Sequence, residues 1–230
     1  MIELSNLRVS LLLNLKGENM IKFLIADDHP LFRDALSAAL KPLFEDLEIV
    51  YADSLDTTIQ ALEKNADIDL VLLDLYMPGS EDFYGLIRVT EDFPEKPVAI
   101  VSGSDAPNIV SRVMKFGARG FIPKTTPSAE TASAIKKILS GETWLPEHLQ
   151  DNLIRVDNDE IDIAQRMAEL TPKQFQVLKQ LQAGLLNKQI AFDLNITEAT
   201  VKAHISAIFK KLDVNNRTQA VLVAEKLQLN

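Results

Sequence analysis

The chain has 230 residues, which suits two domains or one large one, and it is 47% apolar, ample for packed cores, and 25% charged, as ordinary soluble proteins are. It contains no cysteine, which excludes disulfides and thiolate metal sites and fits a reducing compartment, and its three histidines (His29, His148, His204) are too scattered for a zinc cluster. The net charge of −9 speaks against a nucleic-acid partner only until it is divided: residues 165–230 carry nine Lys/Arg against five Asp/Glu, a net of +4, and residues 1–164 carry −13, so the two parts are expected to have different partners.

Residues 1–19 fit no element of the pattern that follows. Their longest apolar stretch, "VSLLLNL", is too short to span a bilayer and is not followed by the small-residue cleavage site of a secretory signal, so no membrane association and a cytoplasmic location are expected. Met20 opens the first strand directly. Two readings of residues 1–19 stand side by side: a translated leader ahead of a natural start at Met20, or an ordinary N-terminal extension.

Over residues 20–143, apolar runs alternate with amphipathic segments. The runs are "IKFLIA", "EIVYA", "DLVLLD", "VAIVS" and "GFI"; between and after them lie "LFRDALSAALKPLF", "SLDTTIQALEKNA", "EDFYGLIRVTEDF", "PNIVSRVMKFGA" and "PSAETASAIKKILSG". Five strands alternating with five helices predict an α/β domain with a parallel sheet covered on both faces, in which ligands bind beyond the carboxyl ends of the strands. At the first of those ends stand two adjacent carboxylates, Asp27 and Asp28. One is expected to cap the following helix, "HPLFRDALSAAL", with Pro30 near its start; capping leaves the second without a role.

Residues 144–165 are acidic and weakly patterned and read as a linker with some helix. Its acids Asp151, Asp157, Asp159, Glu160 and Asp162, or the acidic first domain, are expected to shield the basic module in the resting protein. An all-helical domain over residues 166–230 follows. "LTPKQ" offers Thr171 as N-cap, Pro172 at the first helical position and Gln174 to complete a capping box, and Gly184 fits the residue just past that helix.

Polar chemistry collects at the strand ends. Asp27 and Asp28 end the first strand, Asp74 the third and Ser102 the fourth, and Lys124 follows the fifth. In a parallel sheet these ends meet on one edge. Three carboxylates alone would repel one another, and a hard divalent cation such as Mg²⁺ resolves this, because it takes oxygen ligands and commonly works beside a phosphoryl group. Phosphoryl transfer needs mainly positioning and charge neutralisation, so Asp74 as acceptor beside a metal and a lysine is chemically sufficient.

In order and spacing, "ADDHP", "LLDLYMPG", "VSGS" and "GFIPK" resemble the receiver domain of two-component response regulators, a flavodoxin-like (βα)5 fold, over residues 20–140. The resemblance implies that Asp74 accepts the phosphoryl group and that Asp27, Asp28, Asp74 and the main-chain carbonyl of Tyr76 hold Mg²⁺. It further implies that Ser102 and Lys124 contact the phosphoryl group and that Phe121 is an aromatic switch. Two details depart from the family pattern: Ser102 stands where Thr is more frequent, and "PGSEDFYGLIRV" lacks the usual Met-Asp-Gly turn, so the loop after Asp74 is expected to differ in shape.

The stretch from Leu170 to Leu229 resembles the LuxR-type helix-turn-helix of the NarL/FixJ regulators, with "NKQIAFDL" as supporting helix, Asn195 and Ile196 in the turn, and "TEATVKAHISAIFKKL" as recognition helix. Periodicity agrees: Val201, Ile205, Ile208, Phe209 and Leu212 form one apolar stripe, while Ala199, Lys202, Ala203, Ser206 and Lys210 fall opposite. Small residues flanked by lysines suit close approach to base edges in a major groove. The expected DNA contacts are Lys188, Thr200, Lys202, Ala203, His204, Ser206, Lys210 and Lys211, with Lys188, His204 and Lys211 placed for phosphates.

Together these readings describe a DNA-binding regulator phosphorylated on Asp74 by a histidine kinase or a small phosphodonor, acting as a homodimer when phosphorylated, with "NRTQAVLVAEKL" (Val221, Leu222, Leu227) as a dimer helix. The rival within this class is a phosphorylation-independent DNA-binding protein whose receiver serves as a dimerisation platform. A metal-dependent hydrolase forming an aspartyl phosphate is disfavoured, since such enzymes carry a second carboxylate two residues after the nucleophile, where Tyr76 stands.

Overall fold

The apolar run after Met20 forms β1 (Ile21–Ala26), the hub of a five-stranded parallel sheet of order β2-β1-β3-β4-β5 in the computed structural model, which describes residues 20–150, 153 and 157–227. The expectations for residues 1–19 and for Asp151 lie outside the described residues. The other strands are β2 (Leu47–Ala52), β3 (Leu70–Leu73), β4 (Val98–Ser102) and β5 (Gly120–Pro123). β3, β4 and β5 are buried along their whole length, as strands covered on both faces must be.

Helices α1 (Pro30–Leu40), α2 (Leu55–Lys64), α3 (Tyr84–Asp92), α4 (Pro107–Lys115) and α5 (Ser128–Leu139) cover the two faces. The expected cap of α1 is corrected: its N-cap is His29, and Asp27 Oδ1 accepts the His29 main-chain N–H at 2.8 Å, two residues on, so neither aspartate caps the helix. Trp144 continues the sheet past β5, with its N–H donating to Arg119 O at 3.0 Å and its carbonyl accepting from Phe121 N–H at 3.1 Å. The chain leaving the first domain thus covers the sheet edge that an open β5 would expose.

A short helix α6 (Glu147–Gln150) precedes α7 (Asn158–Ala168), which occupies part of the acidic stretch expected as linker. Asp157 caps α7, and Ile163, Ala164, Met167 and Ala168 are buried along one side of it. Then follow α8 (Pro172–Gln182), α9 (Asn187–Asp193), α10 (Glu198–Leu212) and α11 (Arg217–Glu225). The predicted start of α8 is found as expected: Thr171 accepts from Gln174 N–H, Gln174 answers to Thr171 N–H, and Pro172 opens the helix. Gly184 takes φ +80° just past its end. One apolar core cluster runs from the sheet of the first domain through α7 into α8 and α10. No helix among the described residues is long and apolar enough to cross a membrane.

Candidate functional site

Parallel register carries the ends of β1 and β3 to the same edge. Ala26 pairs with Leu73, so Asp27 and Asp74 emerge side by side, and Asp74 N–H donates to Ala26 O at 2.8 Å. Ser102 ends β4 beside Pro123, and Lys124 N–H donates to Ser102 O at 2.8 Å. Hydrogen-bonded register alone therefore gathers residues that lie up to 97 positions apart.

The Lys124 ammonium lies 2.6 Å from Asp27 Oδ2 and 3.0 Å from Asp74 Oδ2. Burial lowers its basicity, but hydrogen bonds to Asp27 and Asp74 outweigh that and hold its pKa above the ordinary lysine value. Burial raises the pKa of Asp74, with the Lys124 hydrogen bond opposing. Asp27, Asp28, Asp74 and His29 have ligand atoms within 4.8 Å of one another. His29 Nδ1 reaches Asp28 Oδ1 at 2.8 Å and Asp27 Oδ1 at 3.1 Å. Three carboxylates face one ammonium, and the buried Asp74 Oδ1 has no hydrogen-bond partner among the described residues. A hard divalent cation fits that surplus of negative charge, which one lysine does not offset.

Ser102 is buried and its Oγ accepts from Ser104 N–H at 3.2 Å; Phe121 is wholly buried. Tyr76 follows Asp74 closely and leaves its ring half exposed. In the loop after Asp74, Ser80 is buried against Gly85, where a Cβ would sit 1.9 Å from Ser80 Oγ, and Asp82 takes φ +58°. Glycine is thus needed at position 85, and Asp82 occupies a left-handed turn.

The helix-turn-helix face is laid out as its periodicity predicts. Val201, Ile208 and Leu212 are buried, Ile205 and Phe209 partly so, and Ala199, Lys202, Ala203, Ser206 and Lys210 are exposed, as is Lys188 on α9. Thr200 and His204 are half-buried; the Thr200 hydroxyl lies 2.8 Å from that of Thr197, the N-cap of α10. Lys211 differs from the expected phosphate contact. Its ammonium donates to Glu169 O at 2.6 Å and to Gln174 Oε1 at 2.8 Å, tying α10 to the turn between α7 and α8. On α11, Val221 is partly buried and Leu222 is 56% exposed, and Leu227, just past the helix, is buried.

Among the described residues, two acids of the stretch pair away from the basic face. Glu160 pairs with Arg112 of α4 at 2.7 Å, and Asp159 lies 3.9 Å from Lys226. Sequence reasoning also missed a set of contacts between the two parts of the chain. Tyr84 Oη and Arg88 Nη1 both donate to Leu170 O, at 2.6 and 2.7 Å, the Tyr84 ring stacks on Phe175 with centroids 3.8 Å apart, and Lys179 pairs with Asp82 at 2.7 Å. No local signal marks these partners; only a buried tyrosine early in a helix hints at a polar acceptor.

The profile of the response regulator receiver domain matches residues 23–136, and that of the bacterial regulatory proteins, luxR family, matches residues 168–224. The chain is 40% identical to the glycerol metabolism activator of Pseudomonas putida over 210 residues, 89% of this chain and 95% of that protein. It is 31% identical to the transcriptional regulatory protein DegU of Brevibacillus brevis, covering 91% of this chain and 95% of that one. Among solved structures, the RcsB response regulator of Salmonella typhimurium shares its fold at a TM-score of 0.52 and 24% identity, over 90% of this chain and 98% of that one.

Proposed function

Because the chain belongs to the response regulators that join a receiver domain to a LuxR-type DNA-binding domain, and is a transcription regulator rather than an enzyme, we propose that phosphorylation of Asp74 controls how it binds DNA. The observation that carries this reading is the pair of oxygens on Asp74: Oδ2 is held by Lys124, while Oδ1 is buried with no hydrogen-bond partner among the described residues. An oxygen so placed is oriented and free to act as a nucleophile.

The donor is the phosphohistidine of a histidine kinase or a small acyl phosphate. An Asp74 oxygen forms the new O–P bond as the bond from phosphorus to the donor's leaving atom breaks; that atom departs with the electron pair, and an imidazole then takes a proton from solvent. Asp27, Asp28, Asp74 and the main-chain carbonyl of Tyr76 would hold Mg²⁺, which supplies neutralisation of charge on the transferring phosphoryl oxygens. Lys124 supplies a fixed positive charge on the same side. Ser102 Oγ, which accepts from Ser104 N–H, donates its own proton to a phosphoryl oxygen, and Phe121 repacks behind it.

The output is binding of two half-sites by a homodimer, with Lys202 reading a base edge and Lys188, His204 and Lys210 on phosphates. The exposed Leu222 of α11 supports that helix as part of the dimer contact. The 40% identical relative is an activator, which supports activation as the sense of the output, and the cytoplasm is the compartment that suits these partners. Incubation with acetyl phosphate and Mg²⁺ should add one phosphoryl group to the wild type by intact mass and none to Asp74→Ala. An unmodified wild type leaves the phosphorylation-independent reading in its place.

A further inference from the structure

The strand ends hold a fourth ligating group that magnesium does not call for. His29 Nδ1 lies 2.8 Å from Asp28 Oδ1 and 3.1 Å from Asp27 Oδ1. One ligand atom from each of Asp27, Asp28, His29 and Asp74 falls within 4.8 Å of the other three. Around a zinc ion with bonds of about 2.0–2.2 Å, neighbouring ligand atoms stand roughly 3 Å apart. The imidazole nitrogen and the two carboxylate oxygens already have that spacing.

The ring is carried on a fixed backbone. His29 precedes Pro30, which restricts it to extended conformations, and it takes φ −93° and ψ 101° as the N-cap of α1. Its N–H donates to Asp27 Oδ1 at 2.8 Å, and its carbonyl accepts from the N–H groups of Phe32 and Arg33 at 3.1 Å each. The side chain itself is 66% exposed, so core packing does not explain where the ring lies; the two carboxylates do. Lys124 is bonded on the other side of the cluster, to Asp27 Oδ2 and Asp74 Oδ2.

Ligand type decides which ion such a set prefers. Mg²⁺ takes oxygen and keeps several of its waters, so it gains little from an imidazole. Zn²⁺ accepts both imidazole nitrogen and carboxylate oxygen and is commonly held by four groups. The scatter of the three histidines rules out a histidine-rich cluster, but one imidazole among three carboxylates makes a set of four.

We propose that Asp27, Asp28, His29 and Asp74 form a zinc site, in which His29 Nδ1 supplies the nitrogen that a magnesium site of the same carboxylates lacks. The zinc ion stands where Mg²⁺ would, so the two compete for one place and the imidazole biases the competition toward zinc. With Nδ1 on the metal, the ring proton sits on Nε2. The inference rests on the phosphorylation reading only for what Mg²⁺ does at this place; the donor set belongs to these four residues.

The test is a titration of the full chain with Zn²⁺ against a chromophoric chelator, repeated at rising Mg²⁺ so that both affinities follow. His29→Asn keeps a capping side chain and an oxygen donor but removes the nitrogen. It should weaken zinc binding by about tenfold or more and change the Mg²⁺ affinity by less than about threefold. Asp28→Asn should weaken both ions, and His148→Asn and His204→Asn neither. With Zn²⁺ bound, the long-range ¹H–¹⁵N spectrum of the histidine rings should show His29 metal-bound at Nδ1 and protonated at Nε2.

Zinc held as tightly by His29→Asn as by the wild type overturns the proposal, as does a loss that follows His148 or His204 instead. An equal loss for both ions also overturns it, since His29 would then only support Asp27 and Asp28, and zinc binding indifferent to Mg²⁺ would place the ion elsewhere. No phosphodonor enters the titration, so a protein that acetyl phosphate fails to modify would remove the phosphorylation reading and leave this result standing.

Discussion

Tyr84 of the receiver donates its hydroxyl to the main-chain carbonyl of Leu170 at 2.6 Å, across 86 positions of sequence. Burial pushes the Tyr84 pKa up to about 12, which keeps the hydroxyl a donor throughout the neutral range. Tyr84→Phe should cost about 1 kcal/mol of stability in denaturant titrations, since Arg88 still serves Leu170 O, whereas Phe175→Ala, which empties the centre, should cost roughly 3–5 kcal/mol. The folded pKa lies above the unfolded one, so this contribution is present below pH 10 and is lost as pH rises toward 12. The gap between wild type and Tyr84→Phe should close over that interval, and a gap that widens instead contradicts the assignment.

Lys211 and Lys210 are neighbours with different duties. Lys211→Ala removes donors from Glu169 O and Gln174 Oε1 and should lower unfolding stability by about 1 kcal/mol, with little change in the salt dependence of DNA binding. Lys210→Ala should leave stability alone, weaken binding on every sequence and reduce the salt slope by about one phosphate contact per subunit. Thermal melts and salt-dependent binding titrations on the same two variants separate them; a reversed pattern puts Lys211 back on the DNA.

Lys202 stands in the first turns of α10 on the exposed face. Lys202→Ala should cost on the order of 1–3 kcal/mol on a selected site and relax preference at one base position in each half-site. Equal losses on selected and scrambled duplexes would mark it as a phosphate contact.

Trp144 is the chain's single tryptophan, and its carbonyl accepts from the N–H of Phe121 at 3.1 Å. Repacking of Phe121 should therefore change tryptophan emission when acetyl phosphate and Mg²⁺ are added. Asp74→Ala should show no change, and an identical response in both proteins would uncouple Trp144 from the site.

Mg²⁺ should raise the thermal midpoint of the wild type in a concentration-dependent way, because a ligand that binds only the folded state stabilises it by mass action. Asp28→Asn should abolish the shift and chelation should reverse it. A midpoint indifferent to Mg²⁺ removes the metal from the account.

Much of this was readable from residues alone, for definite reasons. Strands covered on both faces are written as uninterrupted apolar runs, so their ends, and with them Asp27, Asp74, Ser102 and Lys124, could be placed. Thr171, Pro172 and Gln174 announced the start of α8 through side chains that serve their own backbone. Three things escaped. His29 occupies the cap of α1 because Asp27 turns its carboxylate onto the His29 N–H, a competition between two polar groups that a cap rule does not rank. The apolar residues of α7 sit behind an acidic N-terminal half, which masked Ile163, Ala164, Met167 and Ala168. Lys211 and Tyr84 each donate to a main-chain carbonyl more than 40 positions away, Glu169 O and Leu170 O, and a main-chain carbonyl has no letter in the sequence.

The central claim is that phosphorylation at Asp74 governs DNA binding. The most direct measurement is a binding titration of wild type and Asp74→Ala against a selected two-half-site duplex, with and without acetyl phosphate and Mg²⁺. The account predicts that the donor tightens binding of the wild type by about tenfold or more and leaves Asp74→Ala where it was. Equal affinity of the two proteins with donor present would contradict it.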